Sequence, residues 1–226
     1  MNRIELINHF IKKYSKKHYL EIGVETGACF LNIKARYKTG VDPRIIIPNE
    51  FKSEMKWKNF NFLIKLKHQT SNDFFASNKQ LFDIILIDGL HTYQQSLTDA
   101  ENALKFLAPD GLIVMHDCKP VSEAAAQFAN SHQDAINKGI VPLNGEWNGD
   151  VYKTILHLRS RYYSFANQID VKVLDCDYGL GIIKKGVPNE LIDISLDSIA
   201  KMNYSEFLIN QSEFLNLVSV SSFSDF

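Results

Sequence analysis

The chain of 226 residues has little of what marks a stapled, membrane-spanning or nucleic-acid-binding protein. Its three cysteines, Cys29, Cys118 and Cys176, are too few and too scattered for a disulfide framework or a Cys-x-x-Cys metal site. Isolated thiols of this kind are usual in a reducing compartment. No stretch approaches the roughly 18 consecutive apolar residues of a membrane span. The start, MNRIELINHF, has no apolar core of a secretory signal, so the expected location is the cytoplasm. Net charge is only −1, which excludes a strong overall field for nucleic acid or an anionic membrane. Lys12, Lys13, Lys16 and Lys17 form a local basic group, read as the solvated end of a first helix whose dipole they complement. Repeats and low-complexity linkers are lacking too. One domain over 1–226 is therefore expected, with an N-terminal helix within 1–18 and a helical tail over 187–226. At 45% hydrophobic content, a chain this long can bury its own core.

What is present is an alternation of short apolar runs with helical segments. Strands are expected at Tyr19–Gly23, Gly40–Asp42, Asn61–Leu66, Phe82–Asp88 and Gly111–Asp117. FDIILID is the clearest of them, apolar without alternation, as where both faces of a strand are covered. GLIVM is its twin, entered through a turn at Pro109–Asp110–Gly111. Helices are expected at 3–14, Ala28–Tyr37, Asn49–Lys56, Asn72–Ala76, Tyr93–Leu107, Val121–Asn137 and Val151–Tyr162. Ile169–Asp175 and Gly179–Lys184 are separated by three residues, too few for anything but antiparallel pairing. The tail reads as two short helices, including Asn203–Leu217, with a frayed Ser-rich end. Strands alternating with helices give a doubly wound α/β fold, here a mostly parallel sheet of about seven strands closed by an antiparallel pair.

The run Tyr19–Gly27, YLEIGVETG, is a strand entering a glycine-bracketed turn. Its Gly-x-x-x-Gly spacing is not the dinucleotide fingerprint, and Glu21 and Glu25 would repel a pyrophosphate. Two carboxylates suit a cationic cofactor, and S-adenosylmethionine carries a sulfonium and an ammonium group. Asp42 ends the second strand about twenty residues on, where an α/β nucleotide site places a carboxylate on ribose hydroxyls. The plainer reading of Asp42 is a cap for the turn before Pro43.

YLEIGVETG followed by GVDP resembles the cofactor half of class I S-adenosylmethionine-dependent methyltransferases. The longer run FDIILIDGLHTYQQSLTDAENALKFLAPDGLIVMHDCKP resembles a subgroup with an Asp-Gly-x-His-x-Tyr motif after the fourth strand. WNGDVYK and NYSEFLINQSEFLNL extend the likeness over nearly the whole chain. Bacterial members of that subgroup are linked with modification of sugars, polysaccharides or natural products. The resemblance implies that Glu21, Gly23 and Gly27 contact the methionine part of the cofactor and Asp42 its ribose. It puts Thr70–Phe74 along the adenine, where Asp73, Ser71 or Asn72 could accept from the amino group. Asp73 reads equally well as a first-turn helix carboxylate.

Asp88, His91, His116 and Asp117 fall at or just beyond the carboxyl ends of two expected strands, where doubly wound sheets bind ligands. A hydroxyl acceptor of a methyl group must lose its proton. In one version His91 is the general base, and Asp88, also counted among the cofactor contacts, orients it or the acceptor. In the other, Asp88 and Asp117 hold a divalent cation, with His116 a third ligand better suited to Mn²⁺ or Fe²⁺ than to Mg²⁺. The metal-free version is preferred. The plain readings are a helix-capping His91 and a hydrogen-bonded His116. Asp150 reads as the N-cap of the helix that follows it, and Trp147 and Asn148 as a lid on the acceptor pocket. The resulting expectation is a methyltransferase acting on a small-molecule or sugar hydroxyl. The rivals are a nicotinamide-dependent dehydrogenase and a non-catalytic S-adenosylmethionine-binding subunit.

Overall fold

The computed structural model describes residues 1–48, 51, 63–142 and 145–225, so the expected helix Asn49–Lys56 and the start of the strand Asn61–Leu66 lie outside the described residues. The chain forms two compact units, Met1–Gly89 with Asp99–Val114, and Leu90–Thr98 with Met115–Phe226.

The first unit opens with α1 (Arg3–Lys13), started by a capping box between Asn2 and Glu5 and ended with Lys12 and Lys13 in its last turn. Next come β1 (His18–Ile22), β2 (Tyr37–Val41), β3 (Ile64–Lys67), α2 (Ser71–Ser77) and β4 (Phe82–Ile87). Helix α3 (Tyr93–Lys105) enters this unit from the second, and β5 (Leu107–Met115) leaves it. The strands lie in the order β3-β2-β1-β4-β5, with β1 parallel to both β2 and β4 and β2 parallel to β3. Ile84, Ile85 and Leu86 are at most 1% exposed, which accounts for the unbroken apolar pattern of β4. The Asp83 carboxylate accepts from the backbone N–H groups of Lys17 and His18, fixing where β1 begins.

The second unit holds α4 (His132–Asn137), α5 (Tyr152–Arg159), α6 (Arg161–Asn167), β6 (Ile169–Leu174) and β7 (Leu180–Lys185). It ends with α7 (Leu196–Lys201), α8 (Tyr204–Ile209), α9 (Gln211–Leu215) and β8 (Leu217–Val218). Its strands lie in the order β7-β6-β8, and β6 and β7 form the expected antiparallel pair. The expected α/β architecture, parallel strands followed by a final antiparallel pair, is thus present, with eight strands among the described residues. No described helix is long and apolar enough to cross a membrane.

Five expected elements differ, the first four for nonlocal reasons. The helix expected at Ala28–Tyr37 is one 3₁₀ turn, Phe30–Asn32. Asn8 of α1 takes the Asn32 carbonyl and the Lys34 N–H that a longer helix would need, and Asn32 bonds back to the Ala28 carbonyl. Val121–Asn137 is helical only at α4, because Asn148 and Gly149 donate to the Ala125 carbonyl and Val121 donates to the Asn148 side chain. Val151–Tyr162 breaks at Ser160, where Arg159 and Arg161 exchange backbone hydrogen bonds with Ile192. The tail is three helices, and its end pairs as β8 with Val173 and Leu174. The buried Arg159 guanidinium holds α9 by donating to the carbonyls of Glu213 and Phe214. β5 already starts at Leu107, so the expected Pro109–Gly111 turn falls within its bounds, Pro109 and Asp110 being exposed.

Gly23 closes the turn after β1 with φ +91°, and a Cβ there would lie 1.9 Å from the backbone carbonyl oxygen of Asp88. The glycine therefore lets β1 and β4 leave the sheet side by side; it is required by backbone packing whether or not anything binds. We predict that Gly23→Ala costs about 3 kcal/mol or more, beyond the usual range for left-handed glycine replacement. Thermal denaturation followed by circular dichroism checks it. An unchanged midpoint would show that the turn relaxes freely.

Candidate active site

Glu21, Gly23, Glu25, Gly27, Asp42, Ser71, Asp73 and Asp88 all belong to the first unit. Asp42 is half-buried at the end of β2, and both its carboxylate oxygens are used. Oδ2 accepts from the Glu25 N–H at 3.0 Å and Oδ1 from the Arg44 N–H at 2.6 Å. The plain reading of Asp42 as a turn cap is therefore present in the structure, and the same carboxylate pins the glycine turn to β2. Each oxygen keeps a second lone pair for a further donor. Glu25 is exposed, at φ +42°, beside Gly27 at φ +80°.

Glu21 differs from the expectation of an anion facing a cofactor. It is 1% exposed and accepts a hydrogen bond from the Tyr19 hydroxyl, two residues back on the same strand face. Burial, against the opposing Tyr19 hydrogen bond and with a smaller push from the Asp88 charge, leaves its carboxyl raised to about 8. Near neutral pH the turn therefore carries one exposed negative charge, on Glu25, and a second group poised to lose its proton. Burial also pushes the neighbouring Cys29 thiol well up, which leaves it unreactive.

Asp88, at the end of β4, has the Arg3 guanidinium beside it, Nε lying 3.3 Å from Oδ2. The first-turn arginine of α1 carried no local sequence signal for this role. Ser71 and Asp73 open α2 after β3. Thr70 caps that helix through the Asp73 N–H and donates its own hydroxyl to Asp73 Oδ2, so Asp73 serves as a first-turn carboxylate.

The second unit gathers His91, His116, Asp117, Trp147 and Asn148. Asp117 follows β5 with φ +61°, in the left-handed region. Its Oδ2 lies 2.9 Å from His116 Nδ1 and 3.2 Å from His91 Nε2, and its Oδ1 accepts from Asn148 Nδ2 at 2.5 Å. His91 Nδ1 lies 2.8 Å from the Trp147 carbonyl oxygen. A carbonyl can only accept, so Nδ1 carries a proton; a carboxylate also only accepts, so the contact of Nε2 with Asp117 is an attraction in the ring protonated on both nitrogens. His116 Nε2 is 3.6 Å from Asp177 Oδ1, and Tyr178 packs edge-on against the same ring. Asp177 was not foreseen; its turn, between β6 and β7, read only as a tight connection.

Three local roles need correction. His91 does not cap α3. Thr92 accepts from Gln95 N–H, and Asp150 Oδ1 accepts from Tyr93 N–H at 2.6 Å. Asp150 thus caps α3 and not the helix that follows it, whose N-cap Val151 offers no side-chain bond. Trp147 is 6% exposed, stacks on His91 and packs among Ala129, Ala135 and Val141, so it is core and not a lid. Asn148 is fully buried, with its amide spent on Asp117 and Val121.

Residues 20–118 match the family model of a methyltransferase domain. No protein of curated function matches the chain. Among solved structures, the cofactor-bound Rv0187 from MTB superposes with a TM-score of 0.59 at 11% identity, over 82% of this chain and 80% of that one. An S-adenosylhomocysteine-bound methyltransferase from Podospora anserina, PaMTH1, gives 0.53 at 16% identity over 81% and 77%. The O-methyltransferase TomG from Streptomyces achromogenes, in complex with S-adenosylmethionine, gives 0.51 at 13% over 81% and 79%. At such identities the likeness is one of fold. The chain has the Rossmann-like fold of these methyltransferases.

The buried carboxyl yields a pH prediction. A Glu whose pKa is raised on folding adds stability that is full below its unfolded value near 4.5 and is lost as pH rises towards about 8. Glu21→Gln, which keeps an acceptor for Tyr19, should match the native chain near pH 5 and exceed it in stability near pH 8. Urea unfolding at the two values measures this. Equal curves at both would mean that Glu21 is not the group that titrates.

Proposed function

We propose that the chain is an S-adenosylmethionine-dependent methyltransferase of the Asp-Gly-x-His-x-Tyr subgroup, cytoplasmic, acting on a hydroxyl of a small-molecule or carbohydrate acceptor. The observation that carries the reading is the match of residues 20–118 to a methyltransferase domain. That span holds both the glycine turn pinned by Asp42 and the Asp117 cluster. The turn fits a cationic cofactor better than a pyrophosphate, since Glu25 is exposed and Glu21 lies beneath. The cofactor supplies an electrophilic methyl group on a sulfonium. Asp42 would hold the ribose through its remaining lone pairs, and Ser71 or Asp73 the adenine. A positive charge at the turn would draw the proton from Glu21.

The second unit also has a cleft of about 430 Å³ lined by Lys119, Val121, Asp177, Tyr178, Tyr204 and Gln211, a size suited to a small molecule, with His91 and Asp117 outside its lining. Tyrosine faces and carboxylate, amide and ammonium groups suit a hydroxylated acceptor. His91 would act as base in its neutral form, protonated at Nδ1 on the Trp147 carbonyl and unprotonated at Nε2; the acceptor proton goes to Nε2 and the imidazolium formed pairs with Asp117.

The alternative takes Asp88, Asp117 and His116 as ligands of a divalent cation that lowers the acceptor pKa. Two carboxylates and an imidazole suit Mn²⁺ or Fe²⁺. Arg3 beside Asp88 Oδ2 and Asn148 on Asp117 Oδ1 supply positive charge and a donor to one oxygen of each carboxylate, the ground on which the metal-free reading is preferred.

Formation of S-adenosylhomocysteine with a panel of hydroxylated acceptors tests the reading. Dialysis against a chelator should leave turnover intact. His91→Ala should lower kcat by about 10²–10⁴-fold, the usual range for a positioned base. Loss of turnover on chelation, restored by one divalent ion, would establish the metal reading in its place. Near-normal kcat in His91→Ala would remove the base.

A further inference from the structure

Trp147, Asn148, Gly149 and Asp150 are consecutive, and each holds a different part of the cluster around His91. The Trp147 carbonyl accepts from His91 Nδ1. Asn148 donates to Asp117 Oδ1. Gly149, at φ +62°, lies so close to the His91 carbonyl that a Cβ would come within 1.7 Å of its oxygen. Asp150 accepts from the Tyr93 N–H, two residues past His91. The segment is itself held from behind. Its indole is buried in the cluster of Ala129, Ala135 and Val141, Nε1 donates to the Gln127 carbonyl, and the N–H groups of Asn148 and Gly149 share the Ala125 carbonyl. An apolar anchor with three successive polar contacts on its other side fixes the ring of His91, the carboxylate of Asp117 and the start of α3 relative to one another.

We propose that Trp147–Asp150 is a positioning segment that sets the His91 ring and the Asp117 carboxylate in one arrangement, with Asn148 its positioning residue. This rests on the reading of His91 and Asp117 as the acceptor-side pair. Asn148 is fully buried with its amide spent on Asp117 and the Val121 N–H, so it acts through Asp117. Removing its amide frees Oδ1, lets the carboxylate rotate and releases Oδ2 from the two imidazoles, while the cofactor turn in the first unit is untouched.

The test uses the full chain with ¹⁵N-labelled histidine and needs no acceptor. At one neutral pH, long-range ¹H–¹⁵N spectra should show His91 in the native chain with a protonated Nδ1. In Asn148→Ala the ring signals of His91 and His116 should move, and His91 should average between tautomers. The S-adenosylhomocysteine dissociation constant should stay within about twofold. Asn148→Ser, which restores a shorter donor, should return the signals part of the way, and it serves in place of Ala if that variant does not fold. Unchanged ring signals in these variants would overturn the proposal. So would loss of cofactor affinity in step with the ring changes, since the segment would then be general scaffold. A native chain that binds no S-adenosylhomocysteine while its His91 signals respond as described would instead count against the methyltransferase reading alone.

Discussion

The proposed acceptor side of the site depends on one carboxylate. Asp117 sits at the end of β5 in a left-handed conformation that L side chains adopt at a cost, and it is nearly buried. A charge in such a place must be satisfied on both oxygens, because an unpaired buried carboxylate costs several kcal/mol. Here Asn148 takes one oxygen and two imidazoles converge on the other. In the proposed reading the placement of the His91 ring depends on that carboxylate together with the Trp147 carbonyl, which sets its tautomer. The buried Asn148 amide holds the carboxylate, while the Trp147 carbonyl and Gly149 hold His91 beside it.

The cofactor half depends on a backbone constraint. Gly23 lets the ends of β1 and β4 run side by side, which places Asp88 next to the turn and brings its charge to bear on Glu21. Arg3 answers that charge from α1. Glu21, Asp88 and Arg3 therefore share one electrostatic balance, in which the buried carboxyl is the soft member. A cation arriving at the turn shifts the balance most at Glu21, so cofactor binding and protonation are linked in this account.

The strands were legible where both faces are covered, since apolar runs without alternation, such as those in FDIILID and GLIVM, fit a strand buried on both sides. The antiparallel pair followed from a three-residue connection. The helices that failed to form, at 28–37 and 121–137, have sound helical patterns. They lose to Asn8 and Asn148, whose side chains come from distant stretches and take the backbone groups a helix would use. Periodicity cannot register such competition. In the site, Asp42, Asp88, His91 and Asp117 were readable as polar residues at strand ends. Their partners were not. The ligand of His91 Nδ1 is a backbone carbonyl, which every residue has, and Trp147 looked like an exposed lid because its burial depends on a satellite core around Ala135. Asp150 caps a helix 57 residues earlier in the chain.

The central claim, that the acidic glycine turn binds S-adenosylmethionine, is tested most directly by calorimetric titration of the chain with S-adenosylhomocysteine and, separately, with NAD. The account predicts micromolar binding of the first and no measurable heat from the second. Asp42→Ala should weaken the first by roughly 1–3 kcal/mol, the range for a hydrogen bond to a charged group. Binding of NAD, or no binding of S-adenosylhomocysteine by the folded chain, would contradict it.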